Sequence, residues 1–213
     1  MPFQPQGFSG VVPEVESTFR AGRVTVRPPE VLSWVSLSAP TGAMTGVGVL
    51  GAIFSLRNTG TNMLMVRRVG IGAVVTTAFT AAQKLDFGLI VARGFTASDT
   101  AGTALAVSGS NGKHRTSLAT PSSLDCRISA AAALTVGTKT LDAVRIGLTG
   151  FWAGAIGATL PATPDNLFSH NTGDYPILLA ANEGINILND TAMGAGGVVT
   201  AYITVEVAEV STY

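Results

Sequence analysis

The chain predicts an all-β fold: an antiparallel β-sandwich with jelly-roll connection, preceded by an extended, proline-rich N-terminal arm. Three observations carry this expectation. About nine short runs of strand character are separated by turn residues, with 25 Gly and 10 Pro in 213 residues, and no run keeps a helical apolar period beyond two turns. The hydrophobic content, 46% with a mean hydropathy of +0.41, comes from Ala and Val rather than from Leu-rich helical stretches. Near the C-terminus, Val199, Ala201, Ile203, Val205 and Val207 alternate with Thr200, Tyr202, Thr204, Glu206 and Ala208, the pattern of a strand with one buried face. Jelly-roll connection is one of the ways in which a chain of many short strands protects its sheet edges. The organisation expected is an arm over residues 1–40 and a single sandwich domain over 41–213.

The elements follow in order. Residues 1–40 hold six of the ten prolines (Pro2, Pro5, Pro13, Pro28, Pro29, Pro40), which remove backbone donors and bias the preceding residues to extended geometry. Short β segments are expected at 23–27 and 31–37. Residues 52–58 and 63–75, joined by Asn58-Thr59-Gly60-Thr61-Asn62, read as an antiparallel hairpin, with Gly70 and Gly72 marking a bulge or a close backbone approach. Residues 80–84 fit one helical turn. Strands are expected at 85–93, 103–107 and 144–151, with a tight turn at Asn111-Gly112. Residues 125–136 are open between strand and helix, because the Ala130–Ala133 run favours helix but lacks a charged face. A long loop with Pro161 and Pro164 covers 153–169, and strands at 177–180, 184–189 and 198–210 end the chain.

Charge is scarce. The chain carries 13 basic and 13 acidic residues, 12% in all, against about 25% in an ordinary globular domain. It is also divided by sign. Residues 1–145 hold all 13 Lys and Arg and 7 acids, +6, whereas residues 146–213 hold 6 acids and no base, −6. A surface so poor in charge suits a protein covered by copies of itself or by a partner. The zero net charge offers no general attraction to nucleic acid or to an anionic membrane. The N-terminus lacks the basic and apolar regions of a signal peptide. The uncharged stretch 31–56 is long enough to span a bilayer, but Pro40, together with Ser33, Ser36, Ser38, Thr41, Thr45 and four Gly, argues for two strands with a turn at 40–46.

Motifs for chemistry are weak. Gly46-Val47-Gly48-Val49-Leu50-Gly51 matches G-x-G-x-x-G, but a Pro/Ser/Thr loop precedes it, a strand follows, and Arg67 and Arg68 stand where an acid belongs. His114 and His170 are the only histidines and lack ligand spacing, and Cys126, the only cysteine, reads as a small buried hydrophobe. Asp165, Asp174, Glu183 and Asp190 lack the spacing of a calcium loop. Asn189-Asp190-Thr191 is a formal glycosylation sequon. No catalytic residue, cofactor or metal is expected, and the chain reads as a non-enzyme. Lys113, His114 and Arg115 form a basic tip that should project from the sandwich. Arg67 and Arg68, adjacent on a strand, should point to opposite faces.

Several segments resemble virion proteins of tailed bacteriophages: residues 76–88 (TTAFTAAQKLDFG), 92–100 (ARGFTASDT), 137–143 (GTKTLDA), 176–184 (PILLAANEG) and 205–210 (VEVAEV). The resemblance spans roughly residues 50–210. It implies a structural protein of the phage particle, a jelly-roll cement or decoration protein on the capsid surface, made in the bacterial cytoplasm. Its implied partners are the major capsid protein and other copies of itself, as a dimer or trimer, with neither nucleic acid nor membrane. Capsid or subunit contacts are expected from the arm and the basic tip, at Phe3, Phe8, Phe19, Arg20, Arg23, Arg27, Lys113 and Arg115. The acidic final third is expected to face the basic part of a neighbour. The alternative is a head-fibre or tail-associated sandwich that binds host-surface carbohydrate on Trp152, Phe168 and Tyr175.

Overall fold

The computed structural model describes residues 14–15, 22–23, 31–107, 112–114, 119–153, 165–170 and 175–210. In chain order the strands are β1 (Glu14–Val15), β2 (Gly22–Arg23), β3 (Val31–Pro40), β4 (Gly51–Asn58), β5 (Met63–Thr77), β6 (Gln83–Arg93), β7 (Thr103–Ala104), β8 (Leu124–Ile128), β9 (Thr140–Leu141), β10 (Gly147–Ala153), β11 (Asp165–Ser169), β12 (Ile177–Leu179), β13 (Gly184–Asn189) and β14 (Val198–Val210). β1 pairs only with β2. The rest form two antiparallel sheets. Sheet I runs β10-β6-β13-β4-β8-β7, with β9 also on β6, and sheet II runs β11-β5-β14-β3, with β12 also on β5. The fold is an all-β sandwich, as the sequence predicts.

One core lies between the sheets. Sheet I contributes Phe54, Leu56, Leu85, Phe87, Leu89, Ile185 and Ile187, and sheet II contributes Leu64, Val66, Val69, Ile71, Val199, Ile203 and Val205. The alternation read in β14 holds, with Val199, Ala201, Ile203, Val205 and Val207 buried. Several expectations change. β4 and β5 are not a hairpin, because they belong to different sheets and the connection between them crosses the sandwich. The buried Asn58 amide shapes this arch: it donates to Asn62 O (2.7 Å) and Leu179 O (3.0 Å) and accepts from Gly60 N. Both strands are apolar on one face, so each buries that face against the opposite sheet rather than beside its sequence neighbour.

Residues 80–84 form no helical turn. Gln83 and Lys84 begin β6, and Thr80 spends its N–H and hydroxyl on Ala195 O. The alanine run is not helical either. β8 ends at Ile128, and the following backbone bonds outward instead, Thr45 N to Ala131 O and Leu134 N to Ala52 O. β7 is shorter than expected, and β10 starts and ends a few residues late. The boundary expected at residue 40 does not hold for β3, which pairs along β14, so Val31–Pro40 belongs to the sandwich. The stretch 31–56 is β3, an irregular connection and most of β4, and among the described residues no helix is long and apolar enough to cross a membrane.

Two bulges aim side chains. Opposite Gly70 and Val69, the register of β11 shifts between Asn166 and Phe168, leaving Leu167 as the extra residue. On β5 the register against β14 shifts from Arg68↔Glu206 to Val66↔Val207, leaving Arg67 extra. An added residue shifts the alternation by one. Both Arg67 and Arg68 therefore face outward, correcting the expectation of opposite faces.

Candidate functional site

The sheets interleave early and late strands, so the divided charge is brought together within one subunit. Arg67 and Arg68 on β5 both pair with Glu206 on β14, at 2.6 and 3.8 Å. The Arg67 guanidinium also stacks on the Trp34 ring at 4.9 Å. Arg93 takes Glu183 (2.7 Å) and Asp142 (2.9 Å), whose carboxylates raise its pKa, and Arg145 takes Asp190 (2.6 Å) with the same result. Glu206, Glu183 and Asp190 thus spend their charge inside the chain. The expectation that the acidic third faces a neighbour is corrected.

An apolar stripe faces outward beside these pairs. On β10, Thr149, Phe151 and Ala153 turn inward, with Phe151 against Phe87 at 5.8 Å. The alternate residues turn out, so Leu148 and Trp152 are 61% and 62% exposed, and Ile146 and Val144 extend the exposed stripe. β10 is the last strand of sheet I. Two ion pairs flank the stripe, Lys84–Asp86 beside Trp152 and Gly150, and Arg145–Asp190 over Gly88, the partner of Leu148. An apolar strip rimmed by neutralised charge has the anatomy of a protein–protein interface.

Sheet I carries a second layer on its outer face. Residues 94–102 and 134–142 bond to each other, Thr96 N to Thr138 O and Thr100 with Thr135 in both directions. Gly137 is required here, since a Cβ would lie 2.2 Å from Ala97 O. Beneath them Asp99 and Lys139 form a buried ion pair, with side chains 0% and 2% exposed. Asp99 also accepts from Gly137 N (2.7 Å) and Asn186 Nδ2 (2.8 Å). Burial pushes the Asp99 carboxyl up, but the bonds from Lys139, Gly137, Ser55 and Asn186 outweigh it and hold the carboxyl below its ordinary value. For Lys139 burial prevails and lowers the pKa. Composition and spacing do not announce this cluster, because its members lie 40 to 87 positions apart.

Of the contacts expected from the sequence, Phe3, Phe8, Phe19, Arg20, Arg27 and Arg115 lie outside the described residues. Arg23 stands in β2 opposite Glu14. Lys113 does not project as a tip. Gly112 and His114 bond the outer edge of β3, Ser36 N to Gly112 O and His114 N to Trp34 O, and Lys113 Nζ donates to Thr120 Oγ1 at 3.3 Å. The described members of the set are therefore not drawn to one surface. Phe168 packs partly against the core, which reduces the aromatic platform to Trp152 and Tyr175.

The other motifs resolve structurally. Gly46–Gly51 leads into β4, not a helix, and Asn189 Nδ2 occupies the carbonyls of Val47 (3.0 Å) and Gly48 (3.3 Å). Asn189 is itself fully buried, out of reach of glycosylation. Cys126 is buried in β8, and burial pushes its thiol far above the ordinary range. Ser36 Oγ holds His114 Nε2 at 2.7 Å. Asp165 accepts from Thr149, and among the described residues no group of His, Cys, Asp and Glu is arranged to hold a metal ion. Compared with known protein families, curated proteins and solved structures, the chain matches none.

Proposed function

We propose that the chain is a structural component of a bacteriophage particle, a cement or decoration protein that bridges capsid subunits. The observation that carries this reading is the exposed stripe Val144, Ile146, Leu148 and Trp152, left bare while Glu206, Glu183 and Asp190 pair with arginines of the same chain. Buried between subunits, those side chains recover the hydrophobic free energy they forgo in a monomer, about 25 cal/mol per Å² of apolar surface. The strand orders β3-β14-β5-β11 and β4-β13-β6-β10 support a jelly roll, since they are those of two interleaved Greek keys. Residues 1–30 are the proposed arm to the capsid.

The test is occupancy. Capsids lacking the protein bind the full chain to a fixed stoichiometry, binding is lost with residues 2–30 deleted, and Leu148→Lys with Trp152→Glu breaks the homo-oligomer. Failure of the full chain to bind heads of the phage that encodes it overturns the proposal. Exposed Trp152 and Tyr175 favour carbohydrate binding as a second reading. A glycan array distinguishes the two, because a cement protein binds no sugar.

A further inference from the structure

The chain has three lysines, and one of them, Lys139, has a side chain only 2% exposed in its ion pair, whereas Lys84 is 60% exposed in its own and the pairs at residues 67, 68, 93 and 145 use arginines that are 25% to 53% exposed. The two cations differ chemically: arginine keeps its proton, while a buried lysine can give it up and become a nucleophile. Lys139 has the surroundings for that. Its Nζ lies 5.1 Å from the centre of the Phe95 ring, and the Arg57 guanidinium lies over the same ring at 5.6 Å. Burial disfavours the ammonium form, and it outweighs the pull of Asp99 in the other direction.

Asp99 bridges the amine to an amide. One carboxylate oxygen contacts Lys139 Nζ, and the other accepts Asn186 Nδ2 at 2.8 Å. Asn186 sits on the central strand β13, fully buried, and its Oδ1 has no hydrogen-bond partner. An amine, an amide and a carboxyl group between them, all shielded from water, are the components of an amide exchange.

We propose that Lys139 and Asn186 form an intramolecular amide crosslink, with Asp99 carrying the protons. The Lys139 ammonium passes a proton to Asp99, giving a minor neutral form of the pair that burial favours and the other bonds to Asp99 oppose. With the Asn186 amide turned over, the resulting acid donates to its oxygen and polarises the carbonyl. The neutral Nζ attacks Cγ, forming the Nζ–Cγ bond. Asp99 relays the amine's proton to the departing nitrogen, and the Cγ–Nδ2 bond breaks. Ammonia leaves with the proton that Lys139 first gave up, as ammonium, and Asp99 ends as the carboxylate it began as. No oxidant, metal or cofactor enters. The bond would fasten the 134–142 segment to β13, and it does not depend on the role in a phage particle.

Intact-mass spectrometry of the full chain tests it. The expected mass is about 17 Da below that of the sequence, with or without Met1, for the loss of one ammonia. Because no Lys or Arg follows Arg145, trypsin leaves residues 146–213 as one fragment, and the crosslink delivers it attached to residues 128–145 with Lys139 uncut. Lys139→Arg keeps the cation but restores the full mass. An unmodified wild-type mass overturns the proposal without any variant. A loss of about 18 Da, from water, overturns it in favour of a Lys139–Asp99 amide. A 17 Da loss that persists in Lys139→Arg overturns it in favour of cyclisation elsewhere, as at Asn111-Gly112.

Discussion

Glu209→Gln tests how the sandwich is tied at the arch between β4 and β5. Glu209 is buried near the end of β14. Its Oε1 accepts from Asn62 Nδ2 at 2.7 Å and Ser123 Oγ at 2.9 Å, and its Oε2 accepts from Ser122 N at 2.9 Å. One carboxylate thus joins sheet II, the arch and the segment leading into β8. Glutamine has one acceptor oxygen and one donor nitrogen. If the oxygen keeps Asn62 and Ser123, the nitrogen opposes the Ser122 N–H and leaves that donor buried and unsatisfied.

The two retained bonds also lose their charge. A hydrogen bond to a charged group contributes about 1.5–3 kcal/mol against roughly 1 for a neutral one, and an orphaned donor costs about 1–3. Relief from burying a charge offsets part of the loss, so a destabilisation of about 2–4 kcal/mol is expected at pH 7. The pH dependence has a definite sign. Burial raises the Glu209 carboxyl, but the bonds from Asn62, Ser122 and Ser123 outweigh it and leave its pKa below the ordinary value. The contribution is therefore complete above the unfolded pKa of about 4.3 and is lost as pH falls through the lower folded value. Urea unfolding of both proteins should show the full gap at pH 7 and a narrowing gap in acid. Equal stability at pH 7, within about 0.5 kcal/mol, would refute the three-donor account.

Gly184→Ala places a Cβ 2.2 Å from Leu56 O and 3.0 Å from the Phe95 ring, in the middle of sheet I. It should cost about 1–3 kcal/mol and lower Tm by roughly 2–4 °C per kcal/mol, measured by thermal melting. Cys126, with its thiol buried and its pKa raised, should not react with a disulfide reagent in the native protein and should titrate as one thiol once urea unfolds the chain.

The strands were largely legible because a strand with one buried face writes its period of two into the chain. β14 is read correctly residue by residue, and β4, β5, β6 and β13 within a few positions. Pairing was not legible. Two consecutive apolar strands with a turn between them satisfy a hairpin and a cross-sandwich arch equally well, and the partners that distinguish them, β13 and β8 for β4 and β14 for β5, lie far along the chain. The orientation of Arg67 was hidden for a related reason, since a single bulge inverts it without altering composition.

By itself the amino-acid sequence determined that this protein is all-β, that it is poor in charge, and that its charge is divided by sign near residue 145. Tertiary structure alone decided what the division means. β14 lies between β3 and β5, and β13 between β4 and β6, so late acids meet early arginines inside one subunit and the apolar outer side of β10 is left exposed. It also brought Lys139, Asp99 and Asn186 together from three distant segments. The physical reason is common to both. Periodicity is a property of neighbours along the chain, whereas electrostatics and proton transfer depend on distances in space, which strand order sets.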